Sequence, residues 1–335
     1  MRAFVTGATG FIGRRLVERL VGLGETVTAL VRDQAQELPT RVAPVAGRLE
    51  DGPDKLAAGM ADCDVVFHLA AMVTFDPRRL PELVRVNAEG TRTVLSAAAK
   101  AGVARTVFVS SACTMGLSHR ATDILSEDAP LDPSLEQRNP YMRSKRLAEA
   151  YAIEAADAGQ AVTIVNPTTV FGPGDRTLNS GTLVRQVAQA AAMPVPPGGS
   201  NVIDVDDVVD GILAAAQHGL AGRRYILGGA NLTFREILEQ IAAVVGRRPL
   251  LVPLPGVARL PMTAAAWLVQ RATGSRLITP QIVGDTFAYK FYSSKLAESE
   301  LGWRARRSFT STLSAAWDYY RRENLIPLPV GATAA

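Results

Sequence analysis

The chain has 335 residues, of which 47% are hydrophobic and 20% charged, and this balance is typical of an ordinary soluble enzyme with a full core. A chain of this length favours two structural lobes. The net charge of +4 is spread along the sequence without a basic stripe or tail, which argues against a nucleic-acid-binding protein.

Cysteines, histidines and apolar segments narrow the class of protein further. Cys63 and Cys113 lie far apart and are predicted to be small buried residues without a disulfide, as is typical of a reducing compartment. No histidine or cysteine stands at metal-ligand spacing, so we expect no metal site. The first residues lack a signal-peptide pattern, and the most apolar late segment, residues 250–269, contains Arg259 and several prolines. We therefore expect a cytoplasmic protein with no membrane-spanning helix.

Short β-branched runs alternate with longer helical patterns over the first two-thirds of the chain. This alternation predicts a parallel sheet covered by helices on both faces, which is a doubly wound α/β sheet of the Rossmann type. The predicted strands are at 3–6, 26–31, 42–46, 65–69, 106–110 and 162–166, and the predicted helices are at 13–23, 83–101 and 141–158.

The pattern changes after Asn166, where prolines interrupt a loop-rich stretch, and it becomes regular again near Val202. We expect a strand at 202–205 and a helix at 206–217 to return to the main sheet, and a strand at 223–227 to belong to a smaller lobe. The predicted parts are a dinucleotide-binding domain at 1–166 plus 200–218, a substrate-binding lobe at 167–199 plus 219–325, and a flexible tail at 326–335.

The first predicted strand ends in a glycine-rich sequence that an amphipathic helix follows at once. Gly7, Gly10 and Gly13 stand at three-residue spacing, so the backbone can turn tightly and admit a pyrophosphate to the helix N-terminus. There the free N–H groups and the helix dipole stabilise the anion. Glycines also collect in ordinary turns, and it is the position at the first strand–helix junction that favours the cofactor. The predicted contacts are Gly7, Thr9, Gly10, Phe11, Ile12 and Gly13.

The end of the second predicted strand distinguishes the two nicotinamide cofactors. An acidic residue there binds the ribose hydroxyls of NAD, whereas an arginine accommodates the 2′-phosphate of NADP. In this chain Val31 is followed by Arg32 and Asp33. Arg32 favours NADP(H), Asp33 leaves NAD(H) open, and a solvated Arg–Asp pair is the alternative without a cofactor.

Tyr141 and Lys145 stand at the i and i+4 positions of a predicted helix and therefore share one of its faces. We expect the ammonium group to stabilise the phenolate and lower the pKa of Tyr141, so that Tyr141 exchanges a proton with a carbonyl oxygen. Ser111 follows a strand at the edge where ligands bind and can hydrogen-bond the same oxygen. The alternatives are a surface Tyr–Lys pair and a hydroxyl that merely ends the strand.

Six sequence segments, taken together, occur in the order typical of one enzyme superfamily. They are residues 7–13, 67–71, 86–91, 110–111, 141–145 and 166–175. The chain resembles the extended short-chain dehydrogenases/reductases of the NAD-dependent epimerase/dehydratase superfamily, from residue 1 to about residue 325. Residues 28–33, 203–208 and 225–229 make it most similar to the dihydroflavonol-4-reductase-like and hopanoid-associated epimerase-like branch.

The resemblance implies a role for individual residues. Tyr141 would be the acid/base, Lys145 would tune it and bind the ribose, Ser111 would orient the carbonyl, and Asn87 would support the site from its helix. His68 is expected to pack beneath the glycine-rich loop rather than act in catalysis. Further cofactor contacts are expected from Leu69, Ala70, Ala71, Pro167, Thr168 and Thr169.

Position 48 departs from the family pattern, which often has an aspartate near the adenine at the end of the third strand. This chain has Arg48 there, between Gly47 and Leu49. We expect Arg48 to stack on the adenine or to add positive charge near a 2′-phosphate, with a solvated side chain as the alternative.

Two enzyme classes share this machinery: reductases that consume NADPH, and nucleotide-sugar epimerases or dehydratases that keep their NAD(P). Many of the sugar enzymes carry an arginine for the diphosphate just before the equivalent of 202–207, and residues 196–201 contain no basic group here. The apolar residues between Leu254 and Leu268 fit a hydrophobic substrate, although helix packing explains them equally well. We therefore expect an NADP(H)-dependent reductase of a hydrophobic or aromatic carbonyl compound. The alternatives are an epimerase/dehydratase and, third, a non-catalytic NAD(P)-binding regulator.

The expected partners follow from the same pattern. They are a small-molecule substrate, no nucleic acid, and a second copy of the chain if the alanine-rich faces of the helices at 83–101 and 141–158 form a four-helix interface, as the resemblance implies. A monomer remains open.

Overall fold

The computed structural model describes residues 1–32, 38–274 and 279–327. Two sequence-based expectations concern residues outside these ranges. Asp33, the residue that kept NAD(H) possible as the cofactor, lies outside the described residues. So does the part of the expected tail from 328 to 335.

Strands and helices alternate through the first two-thirds of the chain, as the periodicity predicted. The strands are β1 (Arg2–Thr6), β2 (Thr26–Val31), β3 (Val42–Ala46), β4 (Val65–His68), β5 (Arg105–Val109), β6 (Val162–Pro167), β7 (Thr169–Phe171), β8 (Ala192–Val195), β9 (Gly199–Asp204), β10 (Arg224–Leu227), β11 (Ala230–Thr233), β12 (Leu250–Pro253) and β13 (Tyr289–Lys290). The helices are α1 (Phe11–Gly22), α2 (Pro53–Gly59), α3 (Leu80–Leu83), α4 (Gly90–Lys100), α5 (Pro133–Arg138), α6 (Pro140–Asp157), α7 (Gly181–Gln189), α8 (Val205–His218), α9 (Phe234–Val245), α10 (Arg259–Thr273), α11 (Pro280–Asp285), α12 (Lys295–Leu301) and α13 (Phe309–Arg322).

Seven strands form one parallel sheet in the order β10-β6-β5-β4-β1-β2-β3. All residues of β4 and β6 are buried, because helices cover both faces of a parallel sheet. The strand order reverses between β1 and β4, and a doubly wound sheet opens its ligand crevice at the carboxyl edge of such a point. The predicted doubly wound α/β fold is confirmed.

Two strands belong to other sheets than the sequence predicted. The strand expected at 202–205 does not return to the main sheet, because β9 pairs with β7, β11 and β13 in a separate four-stranded sheet. Conversely, β10 was expected in the smaller lobe but pairs with β6 at the edge of the main sheet. The reason is α8, which packs on β5 and β6 and is the crossover helix that a parallel β6–β10 pair requires. The remaining domain bounds stay a prediction.

Among the described residues the buried apolar side chains form five clusters, and the two largest of them join these layers. One lies between the main sheet, α1 and α8 and also takes in Trp303. The other joins α7, α9 and α13 to the four-stranded sheet, with Trp317 and Tyr320 among its largest members. Among the described residues no helix combines the length and apolar character that crossing a bilayer requires.

A buried carboxylate fastens the C-terminal segment to α8. Asp207 accepts hydrogen bonds from the backbone N–H groups of Arg306 at 3.1 Å and Arg307 at 3.0 Å, and from the Arg307 guanidinium at 2.6 Å. The indole N–H of Trp303 donates to the Asp207 carbonyl oxygen at 3.0 Å. The chain between α12 and α13 is thereby tied to the helix that completes the main sheet.

Replacing Asp207 by alanine leaves the backbone N–H groups of Arg306 and Arg307 without their acceptor. We expect the free energy of unfolding, measured by urea denaturation, to fall by about 3 kcal/mol, since a hydrogen bond to a charged group contributes roughly 1.5–3 kcal/mol. The matched control is Asp210→Ala, which removes surface ion pairs with Arg19 and Arg307 from the same helix and should cost less than about 1 kcal/mol. Equal losses in the two variants would contradict the anchoring role of Asp207.

Candidate active site

The glycine-rich loop between β1 and α1 has no space for side chains at two positions. Gly7 adopts a φ of +74°, and a Cβ there would lie 2.6 Å from the backbone nitrogen of Ala70. A Cβ on Gly13 would lie 2.0 Å from the carbonyl oxygen of Gly7. The loop therefore packs directly on the residues after β4, and only glycine permits this approach.

The N-terminus of α1 is suited to an anion. Gly10 precedes the helix and supplies no side-chain cap. Among the described residues, the backbone N–H groups of Phe11 and Ile12 have no hydrogen-bond acceptor. Thr9, in the loop itself, is half-buried. Free N–H groups and the helix dipole at this point fit the pyrophosphate of a dinucleotide, and the individual cofactor contacts stay a prediction.

Beneath the loop, His68 is fully buried at the end of β4. Its ring nitrogens lie 2.7 Å from the Thr6 hydroxyl and 2.9 Å from the Thr91 hydroxyl. Burial lowers the pKa of His68 to about 3, so the ring stays neutral. Leu69, Ala70 and Ala71 follow directly, half-buried or exposed, at the carboxyl edge of the sheet. His68 therefore supports the loop, as expected, and exchanges no proton near neutral pH.

Two exposed arginines lie at the same edge of the sheet. Arg32 follows β2 directly, and Arg48 follows the neighbouring β3 by two residues. The nearby carboxylate of Asp51 accepts from the backbone N–H of Arg48 and from the Lys55 ammonium. In the described parts of the chain neither arginine side chain forms a salt bridge. Among the described residues, neither guanidinium group is neutralised by a salt bridge where β2 and β3 end, although Arg48 lies close enough to lower the pKa of Asp51.

The catalytic candidates converge at the start of α6. Asn139 caps this helix by accepting from the backbone N–H of Met142 at 3.0 Å, which fixes the turn that carries Tyr141. Lys145, which is 2% exposed, donates to the carbonyl oxygen of Val109 at 2.8 Å. Ser111 follows β5 and lines the same cleft as Tyr141. The structure thus brings together the serine, tyrosine and lysine that the sequence singled out.

Asn87 joins the segment after β4 to α6. It lies in a π-helical turn, Val84–Glu89, a local widening that often occurs at functional sites. Its side-chain oxygen accepts from the Met72 backbone N–H at 2.7 Å, and its amide donates to the Met72 carbonyl at 2.9 Å and to the Ser144 hydroxyl at 2.9 Å. Ser144 in turn donates to the Tyr141 carbonyl oxygen. These contacts make Asn87 a positioning residue.

Burial governs the protonation of Tyr141 and Lys145. Loss of hydration raises the pKa of Tyr141, and a side-chain hydrogen bond with Ser111 opposes that rise. Loss of hydration also lowers the pKa of Lys145 to about 8, although Glu149 acts in the opposite direction. The expectation that Lys145 lowers the pKa of Tyr141 is therefore wrong for this structure. The physical reason is that the ammonium donates to the Val109 carbonyl, while both groups are shielded from water.

Glu149, which the sequence patterns did not identify, is buried one turn beyond Lys145 on the same helix. Its carboxylate accepts from the Ser110 hydroxyl at 2.5 Å, the Thr114 hydroxyl at 2.9 Å and the Asn166 amide at 2.7 Å. These partners lie at or just beyond the ends of β5 and β6. The signal was present in the sequence, because an acidic residue at i+8 from Tyr141 falls on the inward face of the helix. Glu149 therefore joins α6 to the carboxyl edge of the sheet.

A cleft of about 340 Å³ opens in front of Ser111 and Tyr141. Its walls come from both lobes, and Pro167, Thr168 and Thr169 line it from the end of β6. Among its described lining residues, charged side chains occur as the pair Asp285 and Lys290, whose charged atoms lie 3.0 Å apart. The cleft therefore presents apolar and hydroxyl groups with one internally neutralised ion pair.

Cys113 lines the cleft beside Ser111. Both cysteines are free, as predicted, and they are half-buried rather than buried. Burial raises the pKa of Cys113 to about 11. The thiol therefore stays protonated near neutral pH and is a poor nucleophile.

A second cavity of about 730 Å³ shares Phe75, Leu117 and Leu135 with the cleft and extends beneath α10. Leu260 and Trp267, from the apolar segment predicted to line a substrate pocket, border this outer cavity. Most of that helix is exposed, and Ala266 is its buried residue. The alternative interpretation of the sequence, that these apolar residues are buried by ordinary helix packing, is therefore wrong for most of them.

Comparison with known proteins supplies independent evidence. Residues 3–228 match the sequence profile of the NAD dependent epimerase/dehydratase family. A protein of Synechocystis sp. (strain ATCC 27184 / PCC 6803 / Kazusa), provisionally named dihydroflavonol 4-reductase, is 35% identical over 319 residues, which is 89% of each chain. The crystal structure of gox2253 is 27% identical, with a TM-score of 0.84 over 97% of this chain and 99% of its own. The structure of MoeE5 in complex with UDP-glucose and NAD is 25% identical, with a TM-score of 0.74 over 97% and 100%.

The lowered pKa of Lys145 predicts a pH dependence of stability. Its pKa is about 8 in the folded chain against 10.5 as the ordinary value, so the unfolded chain binds this proton more strongly. The titration of Lys145 should therefore increase the free energy of unfolding as the pH rises from about 8 to about 10.5. Lys145→Met lacks this titration. Across this pH range the urea midpoint of the wild type should therefore rise relative to that of the variant. A constant difference between the two proteins would contradict the burial of a charged Lys145.

Proposed function

We propose that this chain, which belongs to the NAD dependent epimerase/dehydratase family, is an NADP(H)-dependent reductase of the carbonyl group of a hydrophobic or aromatic small molecule. The observation that carries the proposal is the cleft in front of Ser111 and Tyr141. Among its described lining residues it has no cation free to grip a diphosphate, because Lys290 is paired with Asp285.

Ser111 and Tyr141 act on the carbonyl oxygen of the substrate. The nicotinamide, when bound, supplies the hydride that reduces the carbonyl carbon. Ser111 donates a hydrogen bond that holds the oxygen, and Tyr141 transfers its phenolic proton as negative charge develops there. Burial raises the pKa of Tyr141, which keeps the phenol protonated and suits it to be the acid of a reduction.

Lys145 and Asn87 keep this constellation in place. The Lys145 ammonium lies beneath the site on the Val109 carbonyl and is available to the ribose hydroxyls of the cofactor. Asn87 ties the backbone at Met72 to Ser144, inside the turn that carries Tyr141. Both residues therefore fix the distance between the cofactor side and the proton donor.

An apolar substrate is supported by the space around the proton donor. The cleft of about 340 Å³ and the outer cavity of about 730 Å³ are in the size range of small-molecule sites, roughly 300–1,000 Å³. Phe75, Leu117 and Leu135 border both spaces and give them a shared apolar wall. The relative named for dihydroflavonol 4-reduction agrees with an aromatic ketone as substrate.

NADP(H) is supported by Arg32 and Arg48, which follow β2 and β3 and form no salt bridge with a described residue. A 2′-phosphate at this edge would receive charge-assisted hydrogen bonds from them. Arg32→Ala should raise the KM for NADPH about tenfold to a hundredfold and change the KM for NADH less than about twofold. Arg41→Ala, which removes an exposed arginine before β3, is the matched control and should change neither. An equal effect of Arg32→Ala on both cofactors would refute the selector role.

A nucleotide-sugar epimerase or dehydratase is the second candidate, and the likeness to MoeE5 in complex with UDP-glucose and NAD favours it. The two candidates differ in whether the cofactor is consumed. Steady loss of NADPH absorbance with ketones supports the reductase. Conversion of a nucleotide sugar without net NADPH consumption would establish the second candidate instead.

Tyr141→Phe tests the proton donor. We expect it to lower kcat with a hydrophobic ketone about a thousandfold, within the range typical of general acids, while the Kd for NADPH changes less than about twofold. Tyr151→Phe removes another hydroxyl from α6, which bonds Glu89 away from the cleft, and should leave both values unchanged. Loss of NADPH binding in Tyr141→Phe, or retained turnover, would show that the assigned role is wrong.

A further inference from the structure

Exposed apolar side chains are concentrated in one part of the chain. Among the described residues, thirteen large hydrophobic side chains are exposed, and seven of them lie between residues 250 and 269. Five of the seven belong to α10 and the turn before it. Concentration of this kind on a folded protein marks an interaction surface, since single exposed hydrophobic residues are otherwise scattered.

Several of the exposed residues of α10 share one helical face. Leu260, Ala264, Trp267, Leu268 and Arg271 recur at spacings of three and four residues, which places them on the same side. Leu260 is 78% exposed and Trp267 is 53% exposed. The Arg271 guanidinium lies 5.7 Å from the centre of the Trp267 ring. We call Val257, Leu260, Trp267, Leu268 and Arg271 the α10 surface.

The sequence around α10 carries an excess of positive charge. Between Glu239 and Asp285 the sequence has no acidic residue, whereas it has arginines at 247, 248, 259, 271 and 276. Position 276 lies outside the described residues, and none of the other four arginines forms a salt bridge with a described residue. Arg259 and Arg271 belong to α10 itself, and Asp76 is the acidic residue among those lining the groove beside Trp267. The net positive charge of this helix complements a surface that is negatively charged and apolar beneath.

We propose that the α10 surface binds an anionic phospholipid bilayer, with α10 lying along the membrane interface. Tryptophan and leucine on one face and arginine beside them are the composition of helices that bind in this way. Anionic lipid head groups attract the arginines, and the acyl region accepts the apolar side chains. A second copy of this chain fits less well, because a two-fold contact would bring Arg271 and its neighbours against the same arginines.

The α10 surface lies beside the outer cavity, so membrane binding would bring this cavity close to the bilayer. Leu260 and Trp267 also border the outer cavity, which continues into the cleft at Ser111 and Tyr141. A docked enzyme would therefore present the entrance of that cavity to the bilayer. An apolar substrate dissolved in the membrane could reach the cleft without crossing water.

Vesicle binding tests the proposal without substrate or cofactor, so its outcome is independent of the proposed reaction. Trp303 and Trp317 are each 6% exposed, and the fluorescence change on binding therefore reports mainly on Trp267. The protein should co-sediment with vesicles of phosphatidylcholine and phosphatidylglycerol, and its emission should shift to shorter wavelength. Phosphatidylcholine alone should bind at least about tenfold less, and about 0.5 M NaCl should weaken the binding to anionic vesicles.

The triple variant Leu260→Ser, Trp267→Ser, Leu268→Ser should lose binding to anionic vesicles while keeping the wild-type circular dichroism, because all three side chains are exposed. The matched control Leu23→Ser, Leu220→Ser removes two other exposed leucines and should bind like the wild type. Light scattering after size exclusion gives the mass of each protein. Absence of vesicle binding by the wild type, equal loss in the control, or a wild-type dimer that the triple variant converts to monomer would each overturn the proposal.

Discussion

The burial of the Lys145 ammonium beneath the carboxyl edge of the sheet is the constraint on which the site depends. A charged group that has lost its water must have polar partners, and the Val109 carbonyl and the nearby Glu149 carboxylate provide them. Because Val109 ends β5, this contact fixes the start of α6 against the sheet. Tyr141, one turn earlier on the same helix, is thereby held in the cleft that Ser111 lines. Glu149 extends the same attachment to Asn166 at the end of β6.

Local sequence patterns predicted much of the fold and part of the site. The strands at 26–31 and 42–46 have the predicted bounds, those predicted at 3–6, 65–69 and 162–166 differ by one residue at one end, and that predicted at 106–110 begins and ends one residue earlier. The glycine-rich loop was predictable because Gly7 and Gly13 lie where any side chain would collide with backbone. Such features depend on residues close together in the sequence, so periodicity and spacing are sufficient to find them.

Features that depend on distant residues were not predictable in this way. Whether β9 or β10 joins the main sheet is decided by pairing with β6 and by the packing of α8, which no local pattern specifies. The direction of the Tyr141 pKa depends on how much water the folded chain excludes, and spacing from Lys145 alone suggested the opposite sign. The exposure of Trp267 likewise became evident only when the neighbours of α10 were known.

The proposed reductase and the second candidate, an epimerase, differ in the fate of the hydride that the cofactor carries. NADPH carrying deuterium at the transferred position, incubated with a hydrophobic ketone, tests the proposed reaction most directly. We expect one deuterium on the carbinol carbon of the product for each NADP formed, because a reductase transfers the hydride irreversibly from the cofactor to the product. If the deuterium stays with the cofactor while a nucleotide sugar changes configuration, the chain is an epimerase and the proposed reduction is wrong.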